Sequence, residues 1–237
     1  MSVQLTPIDP QRLRRDLLAA GYVVDDVLDR IGEAGQQGLG RNSTVPADVA
    51  LGVATDPLAA LIRLFVLQRE VPEEQLAGVV DVAGLLDGGY LVRRGTGLAA
   101  AVDIRPYGSP DDDATGWIVA DPTPGLDQVV EPTSPDYVLG VSPASTTLAQ
   151  ITMRTLVESA LDLGTGCGVQ SLHLSRHAQS VVGTDVNDRA LRLAALTAGL
   201  NGRDVELRNG SLYEPVAGQR FDLIVSNPPF VMSPPSS

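Results

Sequence analysis

Lysine is missing from all 237 residues, so the 17 cationic side chains are all arginine; they face 29 acids and leave a net charge of −12. A chain this acidic lacks the clustered cations that fix proteins non-specifically to phosphate backbones, although a nucleic acid gripped locally or through a partner stays compatible with it. Cysteine occurs once, at Cys167, which excludes an internal disulfide and fits a reducing, cytoplasmic setting. Long apolar runs are missing too: Leu58 to Leu67 is broken by Arg63 and is too short to span a bilayer. Met1 to Pro10 shows no cationic start followed by an apolar stretch, so no secretory signal is read. The expectation is a soluble cytoplasmic protein without a membrane partner. Charge is uneven along it, with 10 Arg against 21 acids in residues 1–150 and 7 Arg against 8 acids in residues 151–237. Heavy use of Ala, Gly, Arg and Asp without Lys reads as a GC-rich compositional bias.

The first 120 residues read as mainly helical. Arg12 to Ala20 and Val23 to Ile31 carry apolar residues at helical spacing, and Gly21 separates them. Asp56-Pro57 opens Leu58–Gln68, Pro72-Glu73-Glu74 opens Gln75–Val80, and Val82–Asp87 stops at Gly88-Gly89. Tyr90–Arg94, the Gly95-Thr96-Gly97 turn and Leu98–Pro106 read as a strand, a turn and a second strand, with Trp117–Ala120 a further strand. Helices followed by a glycine-turned hairpin resemble a winged-helix module; a helical cap packed on the next domain is the equal alternative. Residues 121–147 hold five prolines (Pro122, Pro124, Pro132, Pro135 and Pro143), which disfavour a continuous helix or central strand and mark a linker. Thr146 to Val157 regains helical character.

Residues 148–237 read as a second domain in which strands and helices alternate. The strands are Ala160–Leu163, Ser180–Thr184, Val205–Arg208 and Phe221–Val225; the helices are Val169–Ala178 and Asp188–Leu200. That alternation predicts a parallel, doubly wound α/β sheet whose ligand lies beyond the carboxyl ends of the strands. Two motifs fall there. Asp162-Leu163-Gly164-Thr165-Gly166-Cys167-Gly168 joins the first strand to its helix, with glycines where the backbone must turn sharply and approach a ligand. Asp185 stands 21 residues beyond Gly164 at the tip of the second strand, where a carboxylate can accept both hydroxyls of a ribose. Its plain alternative is a helix cap ahead of Asn187-Asp188. An acid just before the glycines repels a pyrophosphate and can meet an amino-acid ammonium group, directly or through water. That favours S-adenosylmethionine over NAD.

With Ser226-Asn227-Pro228-Pro229-Phe230 closing the fourth strand, residues 159–231 resemble class I S-adenosylmethionine-dependent methyltransferases with a Rossmann-like sheet. Within these they resemble the HemK-like glutamine N5-methyltransferases and the small-domain rRNA guanine N2-methyltransferases. The resemblance covers about the last third of the chain. It implies Asp162, Gly164, Thr165, Gly166, Gly168, Asp185, Val186, Ser211, Leu212 and Asn227 as cofactor-binding residues. It implies Asn227, Pro228 and Phe230 as the catalytic set. It also implies a macromolecular substrate, either a protein glutamine or a base of rRNA or DNA. The family usually has an Asp after the third strand to meet the adenine amino group; here Asn209-Gly210-Ser211-Leu212 puts a hydroxyl in its place.

The Asn-Pro-Pro-Phe motif has a physical logic of its own. An amide or exocyclic amino nitrogen is a poor nucleophile because its lone pair is delocalised. The Asn227 side-chain oxygen and the Pro228 carbonyl can accept its two N–H bonds and turn the nitrogen towards the methyl group, with Phe230 stacked on the flat acceptor. The step is an in-line displacement without a metal or covalent intermediate. Other candidates read as structural. His173 and His177 have metal-compatible spacing but no third ligand, Cys167 has no base, and Asp111-Asp112-Asp113 reads as a solvated loop. Thr146 and Thr147 are candidates to approach the cofactor carboxylate. The chain ends seven residues beyond Phe230, so the expectation is a sheet truncated after its fourth strand. Such a piece would bind the cofactor weakly or not at all and lack turnover. The alternative function is a non-catalytic binding or regulatory module.

Overall fold

The computed structural model describes residues 3–109, 114–129 and 132–228. Asp111-Asp112-Asp113, Pro229 and Phe230 lie outside the described residues.

Local chemistry sets the helix starts. Helix α1 (Pro10–Ala19) begins where the Asp9 carboxylate accepts the N–H groups of Gln11 and Arg12 and a proline occupies the first position. Helix α2 (Val24–Leu39) runs eight residues beyond the expected Ile31, after a break at Gly32 (φ 64°). Its second half carries small Gly35 and Gly38 against α3 (Val45–Leu51), a helix too short and too weakly patterned to read from sequence. Helix α4 (Pro57–Leu61), capped by Asp56 on the Ala59 N–H, passes into a π-helical turn at Ile62–Val66. Helix α5 (Glu73–Leu76) is shorter than expected because Ala77 turns extended, while α6 (Val82–Asp87) matches its expected limits.

The expected long strand Leu98–Pro106 is in fact two strands with different partners. Strand β1 (Leu91–Arg94) pairs with β2 (Gly97–Ala100); the chain then bends as the Ala101 N–H donates to the Tyr90 carbonyl. Strand β3 (Asp103–Ser109) pairs instead with β4 (Ala114–Ala120). Tyr22 and Trp117 knit helices to strands, the Tyr22 hydroxyl donating to the Ile104 carbonyl and the Trp117 indole N–H to the Tyr22 carbonyl, both at 2.7 Å.

The second half is a parallel sheet. Helix α7 (Pro143–Ile151) precedes β5 (Val157–Leu163), α8 (Val169–Leu174), β6 (Ala178–Asp185), α9 (Asp188–Leu200), β7 (Glu206–Asn209) and β8 (Leu223–Ser226). The helix expected over Thr146–Val157 is set earlier because Ser142 caps it and Thr152 turns extended. Helix α8 stops short of Ala178 because Arg176 and His177 close a turn onto the carbonyls of His173 and Leu174. The strand order is β7-β6-β5-β8, all parallel, so chain progression reverses at β5. Such a reversal opens a crevice beyond the carboxyl ends of β5 and its neighbours.

Helix α9 packs on the sheet and also on α1 and β4. A single buried apolar cluster therefore runs from Leu17 and Phe65 through Trp117 to Leu172, Leu193 and Leu200. At the seam the Trp117 N–H donates to Asn201 Oδ1 at 3.1 Å, and Asn201 Nδ2 returns a bond to the Trp117 carbonyl at 2.7 Å. The Val119 N–H donates to Thr197 Oγ1 at 3.0 Å. Gly116, at φ 151°, has no room for a side chain there: a Cβ would fall 1.5 Å from Asn201 Oδ1. Asp121 and Arg189 form a buried ion pair, Nε to Oδ1 at 2.9 Å, with Asp121 Oδ2 also accepting the Val138 N–H at 2.7 Å. No helix among the described residues is long and apolar enough to cross a membrane.

The segment after β4 is pinned back onto the first helices. Asp127, at φ 51°, accepts the Thr44 N–H at 2.7 Å and the Thr44 hydroxyl, and Arg69 Nη2 lies 3.1 Å from its Oδ2. The Thr44 hydroxyl above all, with its N–H and Arg69, holds the Asp127 carboxyl below its ordinary value. Asp127→Ala is expected to lower stability to urea at pH 7 by about 2 kcal/mol, the scale for hydrogen bonds to a charged acceptor. The folded carboxyl is the stronger acid, so this contribution is full above the unfolded value near pH 4 and disappears as pH falls through the lower folded value. Urea unfolding curves of mutant and wild type should then converge in acid; a gap that stays constant with pH would refute the assignment.

Candidate functional site

A cavity of about 650 Å³ opens at the carboxyl ends of β5, β6 and β8, within the size range of small-molecule sites. Gly164, Thr165 and Gly166 from the loop after β5 line it, as do Asp185 and Val186 from the tip of β6. Ser211 and Leu212 after β7 and Asn227 and Pro228 after β8 complete that side. Nine of the residues singled out from sequence thus share one cavity.

Asp162 and Gly168 stand behind it. Asp162 is 1% exposed, and its Oδ2 accepts the Thr165 hydroxyl (2.7 Å), the Ser171 hydroxyl (2.7 Å) and the Ser171 N–H (3.0 Å). Burial above all pushes its carboxyl upward, against those hydrogen bonds. Asp162 is not among the residues that line the cavity; its carboxylate braces the loop and the first turn of α8 from behind. Gly168 caps α8 at φ 82°, and a Cβ there would lie 3.2 Å from Cα and Cβ of Ala194, so its smallness lets α8 approach α9.

Asp185 does more than face the cavity. Its Oδ2 accepts the Gly166 N–H and its Oδ1 the Asn187 N–H, both at 2.9 Å. The carboxylate thus ties the glycine loop to the tip of β6 and keeps further lone pairs for a ligand's hydroxyls. Capping of α9 falls to Asn187, whose side chain accepts the Arg189 N–H. Val186 and Leu212 are 66% and 69% exposed, apolar walls for a flat ring. Leu212 adopts φ 48°, so the Ser211-Leu212 turn is held in an uncommon backbone state at the mouth of the cavity.

Sequence reasoning missed the wall opposite. Tyr137, Leu139, Ser142, Ser145 and Gln170 line the cavity, whereas Thr146 and Thr147 are exposed and do not. The available signal was Ser142-Pro143, a helix start that places the first turn of α7 against the loop. Asn227 Nδ2 donates to Ser145 Oγ at 3.4 Å, and Ser226 Oγ to the Leu163 carbonyl at 2.8 Å, so the end of β8 is tied to both α7 and β5.

The remaining candidates have structural partners. His173 and His177 are buried, and His173 Nε2 lies 2.7 Å from the Tyr107 hydroxyl, an edge-on contact joining α8 to β3. Among the described residues no group of three or more His, Cys, Asp or Glu is placed to hold a metal. Cys167 is 3% exposed and burial pushes its thiol up to about 11, the opposite of an activated nucleophile.

Comparison with known proteins matches two parts of the chain. Residues 140–234 match the family model described as methyltransferase small domain, and residues 19–101 match a domain of unknown function, DUF7059. A release factor glutamine methyltransferase of Geobacter sulfurreducens is 46% identical over 76 residues, 31% of this chain and 26% of that protein. The ribosomal RNA small subunit methyltransferase C of Alcanivorax borkumensis is 39% identical over 70 residues, 30% of this chain and 21% of that one. The solved 16S rRNA N2 G1207 methyltransferase of T. thermophilus aligns at 22% identity with a TM-score of 0.42, over 68% of this chain and 45% of that one. The chain spans less than half the length of the curated relatives it matches. The family match supports S-adenosylmethionine as the cofactor.

Proposed function

From the match of residues 140–234 to the methyltransferase small-domain family model, we propose that this protein moves a methyl group from S-adenosylmethionine to a planar NH2 nitrogen of a macromolecule. The acceptor is a protein glutamine or a base of rRNA or DNA. The observation that carries this reading is the placement of Asn227 and Pro228 on the same cavity wall system as Gly164, Gly166 and Asp185. The groups that hold a nucleoside and those that hold a flat NH2 group then face one space.

Residues on the cavity fit that cofactor. Asp185 offers acceptors for ribose hydroxyls, Ser211 a hydroxyl for the base, Val186 and Leu212 apolar walls, and the glycine loop a close backbone approach. When bound, S-adenosylmethionine supplies an electrophilic methyl group on sulfur. The work of the chain is orientation. Asn227 Oδ1 and the Pro228 carbonyl accept the two N–H bonds of the acceptor nitrogen, and the rigid prolyl turn keeps both acceptors fixed before the substrate arrives. Phe230 supplies the stacking surface in this reading.

We assign residues 148–237 to the cofactor domain, residues 121–147 to the connecting segment and residues 1–120 to selection of the polymer. The order of helices followed by the β1–β2 hairpin supports a winged-helix-like role for that first part. Calorimetry with S-adenosylmethionine tests the cofactor half: micromolar binding is expected, and no detectable binding would refute it. Transfer from tritiated S-adenosylmethionine into an extract of cells lacking the protein tests the rest. Label that survives RNase and is lost to protease marks a protein acceptor, and the reverse marks RNA. Cofactor binding without any transfer would favour the non-catalytic module.

A further inference from the structure

Only one side of the Asn227 amide is useful to an NH2 group. The carbonyl oxygen accepts its hydrogens, whereas the Nδ2 hydrogens would oppose them. An amide side chain free to turn over would present each side in turn, so a neighbour has to select one. Ser145 is 5% exposed on the first turn of α7, and its Oγ lies 3.4 Å from Asn227 Nδ2. That Oγ is also 3.0 Å from Ser142 Oγ. Its backbone is held on both sides: its N–H donates to Ser142 Oγ at 3.2 Å, and its carbonyl accepts Gln170 Nε2 at 2.7 Å. Gln170 is itself 4% exposed on α8.

We propose that Ser145 is a positioning residue for Asn227. Its hydroxyl donates to Ser142 Oγ, which leaves lone pairs to accept from Asn227 Nδ2. The amide is thereby held with Oδ1 turned to the acceptor nitrogen. Ser145 needs no contact with the substrate and transfers no proton; it acts through Asn227. The inference rests on the methyl-transfer reading above. It is separable from helix capping, because the bond that Ser142 makes as the cap is to the Ser145 backbone N–H, which alanine and threonine keep.

The test has one arm that needs no substrate. In 15N-labelled protein, the Asn227 side-chain NH2 should show protons protected from solvent exchange, with cross-relaxation to the Ser145 β-protons. Ser145→Ala should speed that exchange about tenfold, and Ser145→Thr should restore protection, as expected when a single hydrogen bond is removed and replaced. Unchanged shifts and exchange in Ser145→Ala would overturn the proposal. In the transfer assay with tritiated S-adenosylmethionine and cell extract, Ser145→Ala should slow the rate at saturating cofactor about tenfold, with its KM within about twofold and recovery in Ser145→Thr. A rise in KM that matches the loss of rate, or no recovery with threonine, would assign Ser145 to cofactor binding or packing instead. Should wild type label nothing, the methyl-transfer reading fails, and the exchange arm still decides whether Ser145 sets the amide.

Discussion

Replacing Asn227 by alanine should cut methyl transfer about 100- to 1,000-fold while S-adenosylmethionine binds within about twofold of wild type. The size is that of one preorganised hydrogen-bonding group removed from a reacting centre. The asymmetry between rate and binding follows from position. Asn227 follows β8, anchored by the Ser226 hydroxyl on the Leu163 carbonyl, whereas the glycine loop follows β5 and Asp185 stands beyond it at the tip of β6. Alanine leaves those elements untouched and removes the acceptor that turns the nitrogen. Initial rates and calorimetry on the same preparation would separate the two effects. Retention of full rate by Asn227→Ala would refute the role given to the motif.

Asp185→Ala should act the other way, weakening cofactor binding by about 100-fold or more, the sum of two hydrogen bonds to a charged acceptor. Two losses coincide. The ribose hydroxyls lose their acceptor, and the Gly166 and Asn187 N–H groups lose theirs, so the loop is no longer fastened to β6. Asp185→Asn should rescue little. Both carboxylate oxygens already receive an N–H, so an amide must turn its own NH2 towards one of these donors. Calorimetry of the two variants distinguishes the readings: a well-binding Asp185→Asn would show that shape, and neither the charge nor the paired acceptors, is what counts. Binding of Asp185→Ala within threefold of wild type would remove Asp185 from the site.

The sheet was legible because each of its signals is local and repeated. Ala160–Leu163 and Ser180–Thr184 are short strand-like stretches that end at Gly164 and Asp185, and Asp188–Leu200 has both a cap and an apolar stripe. The first half was harder to read. Helix α3 shows two valines four apart and little else, and its place is fixed by Gly35 and Gly38 of α2, a contact that no local pattern encodes. Leu98–Pro106 looks like one strand because no glycine or proline interrupts it before Pro106; only the tertiary partners β1 and β4 divide it. In the site, residues attached to motifs were findable, whereas Ser145 and Gln170 were not. Their relation to Asn227 spans 82 positions in one case and, in the other, runs through a carbonyl that any residue possesses.

The seam between α9 and β4 carries a further consequence. One edge of β4 is covered by β3; the other would offer unpaired N–H and C=O groups to any extended chain that met it. Asn201 and Thr197 answer that edge with side chains, a helix standing in for a missing strand. The contact that joins the two halves of the molecule therefore also closes this edge of β4 to a strand from a second copy.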